Sequence, residues 1–199
     1  MMEQRTRTSH TYYLPQDNQR IIYTIYCSHD GTIWIGTDGG LSYYIPRTNK
    51  FYTYNQANTY LIQAGRKETR ITNYSVKSIT EDGKGNLFIG TWRHGLIRFR
   101  PGSHHFYQYP DLNAQNSAYA LHFDQNHRLW IGTWGYGIIR LDKPENYIQP
   151  EIHQYPYRTN DFDTFYKIID GPAHNTLWAC SREGISILKL NTPDARWQH

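Results

Sequence analysis

Cysteine and methionine are scarce in this chain, and long apolar runs are missing. There are two of each sulfur residue in 199 positions. The cysteines, Cys27 and Cys180, form no metal or redox spacing and are expected as small buried side chains. No apolar stretch approaches the roughly 20 residues of a membrane helix, so no membrane contact is expected of this segment. No charge of one sign dominates either: the net charge is +4, with lysines and arginines scattered rather than clustered. That argues against a nucleic-acid footprint and for a slightly basic, solvated surface. The opening MMEQRTRTSH has no apolar leader core. An internal cut would leave a similar start, so it fixes no cellular address. Nothing along the chain reads as a helix.

Aromatic residues are abundant instead, with 18 tyrosines and six tryptophans, a composition that favours strands. Self-similarity organises them. WIGTDGGL begins at Trp34, FIGTWRHGL at Phe88, WIGTWGYGI at Trp130 and WACSREGI at Trp178, at spacings of 54, 42 and 48 residues. Each copy sits between runs of β-branched and aromatic residues punctuated by Asp-Gly, Gly-Gly or Asn-rich turns. The repeat therefore predicts four antiparallel strands per unit. The expected units are 21–54, 76–109, 118–156 and 165–199, the last with a truncated fourth strand, and residues 10–15 form an orphan strand. Four-stranded units at this period are the pattern of β-propeller blades. Trp34, Phe88, Trp130 and Trp178 are the expected anchors that fill the wedges between blades. The glycine two residues later, at 36, 90 and 132, leaves room for a neighbour; the fourth unit has Cys180 there. The fold class is thus all-β, a propeller of about four blades, either part of a ring or a ring closed by strand exchange or oligomerisation. Self-association is expected from an open arc.

The motif D-x-x-G-x-[LI]-[WF]-I-G-T-x-x-G-[LI]-x-x-[YF] runs through HDGTIWIGTDGGLSYY, DGKGNLFIGTWRHGLIRF and DQNHRLWIGTWGYGIIRL, and more loosely through GPAHNTLWACSREGISIL. It resembles the two-component regulator propeller repeat. In the third copy Asn126 or His127 replaces the usual turn glycine. The resemblance implies an extracytoplasmic, periplasmic sensor region of a hybrid histidine kinase of Bacteroidetes, responding to an oligosaccharide and joined to the remainder of a kinase. It implies no catalysis by this segment and no cofactor.

Candidate ligand-binding residues fall in the turns between second and third strands: Asp38, Trp92, Arg93, His94, Trp134, Tyr136, Arg182 and Glu183. Aromatic faces stack on sugar C–H groups, and charged groups satisfy hydroxyls. The competing reading is that Trp92 and Trp134 pack between blades and that the others are plain surface. The connection 55–73 is either a functional loop or a cover over a sheet edge. No metal site is expected: His104 and His105 are adjacent, so strand geometry points them to opposite faces. Asp30, Asp82 and Asp124 recur because turns select aspartate for local hydrogen bonds. The alternatives to a sensor are a protein-interaction scaffold or remnant of a truncated gene, and a propeller lyase, for which only His94 lies in a suitable loop.

Overall fold

The computed structural model describes residues 9–14, 21–54, 60–63, 69–70, 74–103, 105–110, 112, 117–155, 164–190 and 197–198. Blade 1 comprises β1 (Ile22–Cys27), β2 (Ile33–Thr37), β3 (Gly40–Ile45) and β4 (Lys50–Thr53). Strands β5 (Tyr60–Gln63) and β6 (Thr69–Arg70) follow. Blade 2 is β7 (Ser75–Glu81), β8 (Leu87–Trp92), β9 (Leu96–Phe99) and β10 (His105–Gln108). Blade 3 is β11 (Ala120–Phe123), β12 (Leu129–Gly132), β13 (Ile138–Leu141) and β14 (Ile152–Tyr155), and blade 4 is β15 (Phe165–Asp170), β16 (Thr176–Ser181), β17 (Gly184–Lys189) and β18 (Trp197–Gln198). Each blade is an antiparallel meander.

The repeated letters of the motif are local clamps. In the first hairpin of blade 3, Asp124 Oδ1 accepts from the backbone N–H groups of Asn126 (2.9 Å) and Arg128 (3.0 Å). Asp82 does the same for Lys84 and Asn86. The last turn residue needs positive φ: Gly31, Gly85, His127 and Asn175 take +83°, +79°, +57° and +57°. His127 thus stands in for the missing glycine at the modest steric cost of a non-glycine left-handed residue. In the second hairpin the threonine of IGT is buried and turns inward. Thr37, Thr91 and Thr133 Oγ1 donate to the carbonyls of Gly40, Gly95 and Gly137 at 3.0, 2.8 and 2.8 Å.

The core consists of three layers, each between successive blades. Trp34 packs with Val76, Ile79, Ile89 and Phe99 of blade 2, Phe88 with Leu121 and Ile131 of blade 3, and Trp130 with Phe165, Ile168 and Leu188 of blade 4. The anchor of one blade therefore inserts into the next. The glycine two residues on is where the next blade comes closest: a Cβ at Gly36 would lie 2.5 Å from Val76, at Gly90 2.6 Å from the Ala118 carbonyl, and at Gly132 2.7 Å from Phe165 Cβ.

Among the described residues, no equivalent layer joins blade 4 to blade 1, so the four-bladed propeller has an open seam. Trp178, the fourth anchor, is only half-buried, whereas Trp34, Phe88 and Trp130 are buried. Both cysteines lie on the seam and are exposed, contrary to the expectation that they are buried; among the described residues no blade packs on either face. The expected orphan strand at 10–15 does not form over residues 9–14, which make no ladder. Tyr12 packs instead on Tyr44 and Phe51, with ring centroids 5.8 and 5.5 Å away. Blade 4 also supplies its own fourth strand, β18, paired with β17. Strand exchange therefore does not close the ring.

The connection 55–73 proves to be an edge cover in its described parts. β5 pairs in parallel with β10, and β6 pairs with β5, so blade 2 becomes a six-stranded sheet. Leu61 is buried in the layer between blades 1 and 2. The insertion thereby satisfies the outer edge of β10, which would otherwise expose a free ladder.

Candidate functional site

Three of the four inner strands share an irregularity. Their ladders to the second strands shift register between Ile22 and Thr24, Val76 and Ser78, and Phe165 and Lys167. In blade 3, the Tyr119 N–H bonds to the Gly132 carbonyl just before β11 begins. The residue at each irregularity is Tyr23, Lys77 or Tyr166, and Tyr119 holds the matching place in blade 3. A bulge turns its side chain out of the regular alternation, here to the end of the propeller that carries the β2–β3 type turns.

These side chains converge. Lys77 Nζ lies 3.2 Å from the centroid of the Tyr23 ring and 5.6 Å from that of Tyr119, a cation bracketed by two aromatic faces. Its N–H donors make no hydrogen bond among the described residues. Burial, reinforced by the nearby phenols of Tyr23 and Tyr166, raises the pKa of Tyr119, so this phenol stays neutral and can donate. Trp92 and Trp134 complete the group. Their centroids are 5.1 Å apart at 75°, and each packs on Tyr119, at 5.7 and 5.5 Å. Both indoles are half-buried, while Tyr23 and Tyr166 are 41% and 50% exposed.

The two readings of Trp92 and Trp134 thus meet in one arrangement: the indoles do pack between blades 2 and 3, and they still present surface beside Lys77. Trp134 is further tied to blade 4 by a bridge to Thr164. The remaining candidates occupy the turns between second and third strands. Asp38 Oδ1 accepts from the Ile21 N–H (3.3 Å), holding the approach to β1. The His94 carbonyl accepts from Gln108 Nε2 (2.8 Å). Arg93, with φ of +72°, and Tyr136, Arg182 and Glu183 are exposed at the tips of their turns.

Reading the turns alone misses Tyr23, Lys77, Tyr119 and Tyr166. Their signal is present as a second short repeat at the start of each unit: IYTI at 22–25, VKSI at 76–79, AYAL at 118–121 and FYKI at 165–168. Only the tertiary structure brings the second residues together: three sit at register shifts, and Lys77 lies on the rings of Tyr23 and Tyr119.

One group among the described residues has metal-ligand geometry: His153 on β14 of blade 3, with Glu151 just before that strand and Asp142 just after β13. Cations already neutralise its carboxylates. Arg140 grips Asp142 with Nε at 2.6 Å and Nη2 at 2.9 Å, and Lys143 lies 3.2 Å from Glu151. It is an ion-pair network at a sheet edge.

The two-component regulator propeller family matches at residues 16–39, 70–93 and 113–135, the first hairpins of blades 1 to 3. No curated protein matches the chain. Similar folds occur in solved structures. PorZ of Porphyromonas gingivalis, a surface component of a type-IX secretion system, aligns at TM-score 0.62 and 15% identity, over 87% of this chain and 26% of its own. The extracellular domain of a protein described as a hybrid two-component system of B. thetaiotaomicron aligns at 0.52 and 19%, over 94% and 31%. A virginiamycin B lyase of Staphylococcus aureus aligns at 0.57 and 16%, over 93% and 60%. The chain thus spans about a quarter to a third of the first two, and at these identities the likeness is one of fold. The clamped hairpins, the anchors and the matched repeats carry one conclusion: residues 16–39, 70–93 and 113–135 are repeats of the two-component regulator propeller kind.

Proposed function

We propose that this chain is a ligand-sensing segment of the extracytoplasmic, periplasmic part of a hybrid two-component sensor, that it binds an oligosaccharide at the Tyr23, Lys77, Tyr119, Trp92 and Trp134 cluster, and that it is not itself catalytic. One observation carries the reading: aromatic faces and a cation with unused donors meet at the end of the propeller that carries the β2–β3 type turns. Indole and phenol faces suit sugar C–H surfaces, and the Lys77 ammonium and Tyr119 hydroxyl supply donors to sugar oxygens. The matched two-component regulator propeller repeats and the fold likeness to an extracellular two-component domain support the sensor context. A propeller of this kind passes on no chemistry. Binding must bias one packing arrangement over another to signal.

The test is thermal melting of the chain against a panel of neutral and acidic oligosaccharides. At a hundredfold excess over Kd, binding adds about 2.7 kcal/mol, or roughly 5–11 °C for a domain this size. Trp134→Ala and Lys77→Met are expected to abolish the shift. A shift that survives both variants moves the site elsewhere, and no shift with any sugar refutes the ligand class. Two readings compete. A lyase predicts turnover that His94→Ala abolishes, and a pure interaction scaffold predicts self-association with no sugar response.

A further inference from the structure

The seam faces are matched to each other position by position. The residue beside the anchor glycine at the start of the third strand is Leu41, Leu96 and Ile138 in blades 1 to 3, each 0% exposed under the next blade. Its counterpart in blade 4, Ile185, is 59% exposed. On the receiving side, Ile79, Leu121 and Ile168 of blades 2 to 4 are 6%, 8% and 1% exposed, whereas Ile25 of blade 1 is 66% exposed. Blade 4 thus offers an inserting face with Trp178, Ile169 and Ile185, and blade 1 offers a receiving face with Ile25, Cys27 and Tyr44.

Polar matching points to the same pairing. In two of the three layers, the residue paired with the anchor meets the last residue of the next inner strand. Tyr26 meets Glu81, and His122 meets Asp170, Nε2 to Oδ1 at 3.2 Å. At the seam these positions are Ile169 and Cys27. Blade 1 lacks the acid, and blade 4 lacks the tyrosine or histidine that would seek it. Tyr12 already shows what the receiving face takes. Its ring lies 5.8 Å from Tyr44, as Trp34 lies 5.9 Å from Phe99 at the corresponding place in blade 2.

We infer that blade 4 of one copy docks on blade 1 of a second copy, two chains closing a head-to-tail ring of eight blades. The seam within one chain is open, and closed propellers hold about four to eight blades, so two is the number of four-bladed copies that completes a ring. The two seams are related by a twofold axis, and docking displaces Tyr12 by Trp178. Further blades of a longer polypeptide, or closure of the ring within one chain, are the rival occupants.

The experiment is sedimentation velocity of the 199-residue chain under reducing conditions, with Ile25→Asp and Ile185→Asp. Both side chains are exposed in the single copy, so each variant should melt like the isolated wild-type monomer. The expected wild-type mass is twice 23.6 kDa. Each variant alone is expected to halve it, because each damages both seams. An equimolar mixture should regain part of the dimer, since one of its two seams carries Ile25 and Ile185 intact. A monomeric wild type overturns the proposal. So does a dimer that Ile25→Asp breaks and Ile185→Asp leaves whole, which would mean that blade 1 pairs with blade 1. Species that grow beyond the dimer refute closure.

Discussion

Gly90→Ala tests the inter-blade spacing at its tightest backbone contact. The new Cβ would lie 2.6 Å from the carbonyl oxygen of Ala118 in blade 3, and closer still to the Ser78 hydroxyl of its own blade. The serine can rotate away, but the carbonyl cannot. Ala118 is held to blade 2 by its own N–H, which donates to the Thr91 carbonyl at 3.0 Å, one residue from Gly90. Relieving the clash means stretching that bond and opening the layer that buries Phe88, Leu121 and Ile131. Overpacking costs about 1–3 kcal/mol, and loss of one buried backbone hydrogen bond adds about 1 kcal/mol. The expected total of about 2–4 kcal/mol lowers Tm by roughly 4–16 °C for a domain of this size. Gly83→Ala is the control, because nothing lies within 4 Å of the added carbon and its φ is not in the left-handed region. Differential scanning calorimetry on both variants reads the difference. A Gly90→Ala melt that coincides with Gly83→Ala would refute the claim that blade spacing is fixed by backbone contact at this glycine.

Asp124→Ala should destabilise more than Asp30→Ala in the same melts. It removes the acceptor of the buried Trp130 Nε1, Asp124 Oδ2 at 2.9 Å, at a cost of about 1–3 kcal/mol, whereas among the described residues Asp30 accepts from Ser28 and Thr32, with no indole among its donors; equal losses would contradict this. Alkaline pH should unfold the chain through its buried phenols. Burial pushes Tyr54 from 10.0 up to about 12, so the stability it contributes is intact below pH 10 and is lost as pH rises towards 12. Tyr74 and Tyr109 are pushed up by burial in the same direction. Ultraviolet titration should show Tyr54→Phe losing less stability than wild type over that window, and identical curves would argue against it. Cys180→Gly should strengthen dimerisation in sedimentation, since the three closed layers all carry glycine there; weaker association would count against the docking geometry.

The sequence by itself determined the blade. Asp-turn, positive-φ residue, IGT threonine and closing glycine act on one another within about twenty residues, so the hairpins at 22–37 and 76–92 were readable from their letters. The anchors were readable too, because an aromatic flanked by apolar residues on both sides belongs in a layer buried on two faces. What surrounds each blade was decided only in the tertiary structure. Trp130 and Trp178 occupy the same place in the repeat, yet one is buried and the other half-open, because a described blade packs on the first and none on the second. The same holds for Cys27 and Cys180, which open to solvent at the seam. It holds for 55–73, whose strands add to β10 from the far side of the blade. It holds most of all for Tyr23, Lys77, Tyr119 and Tyr166, which lie tens of residues apart in the chain. Bulges set Tyr23, Lys77 and Tyr166 out of the regular alternation, and only the stacking of successive blades makes these residues and Tyr119 neighbours.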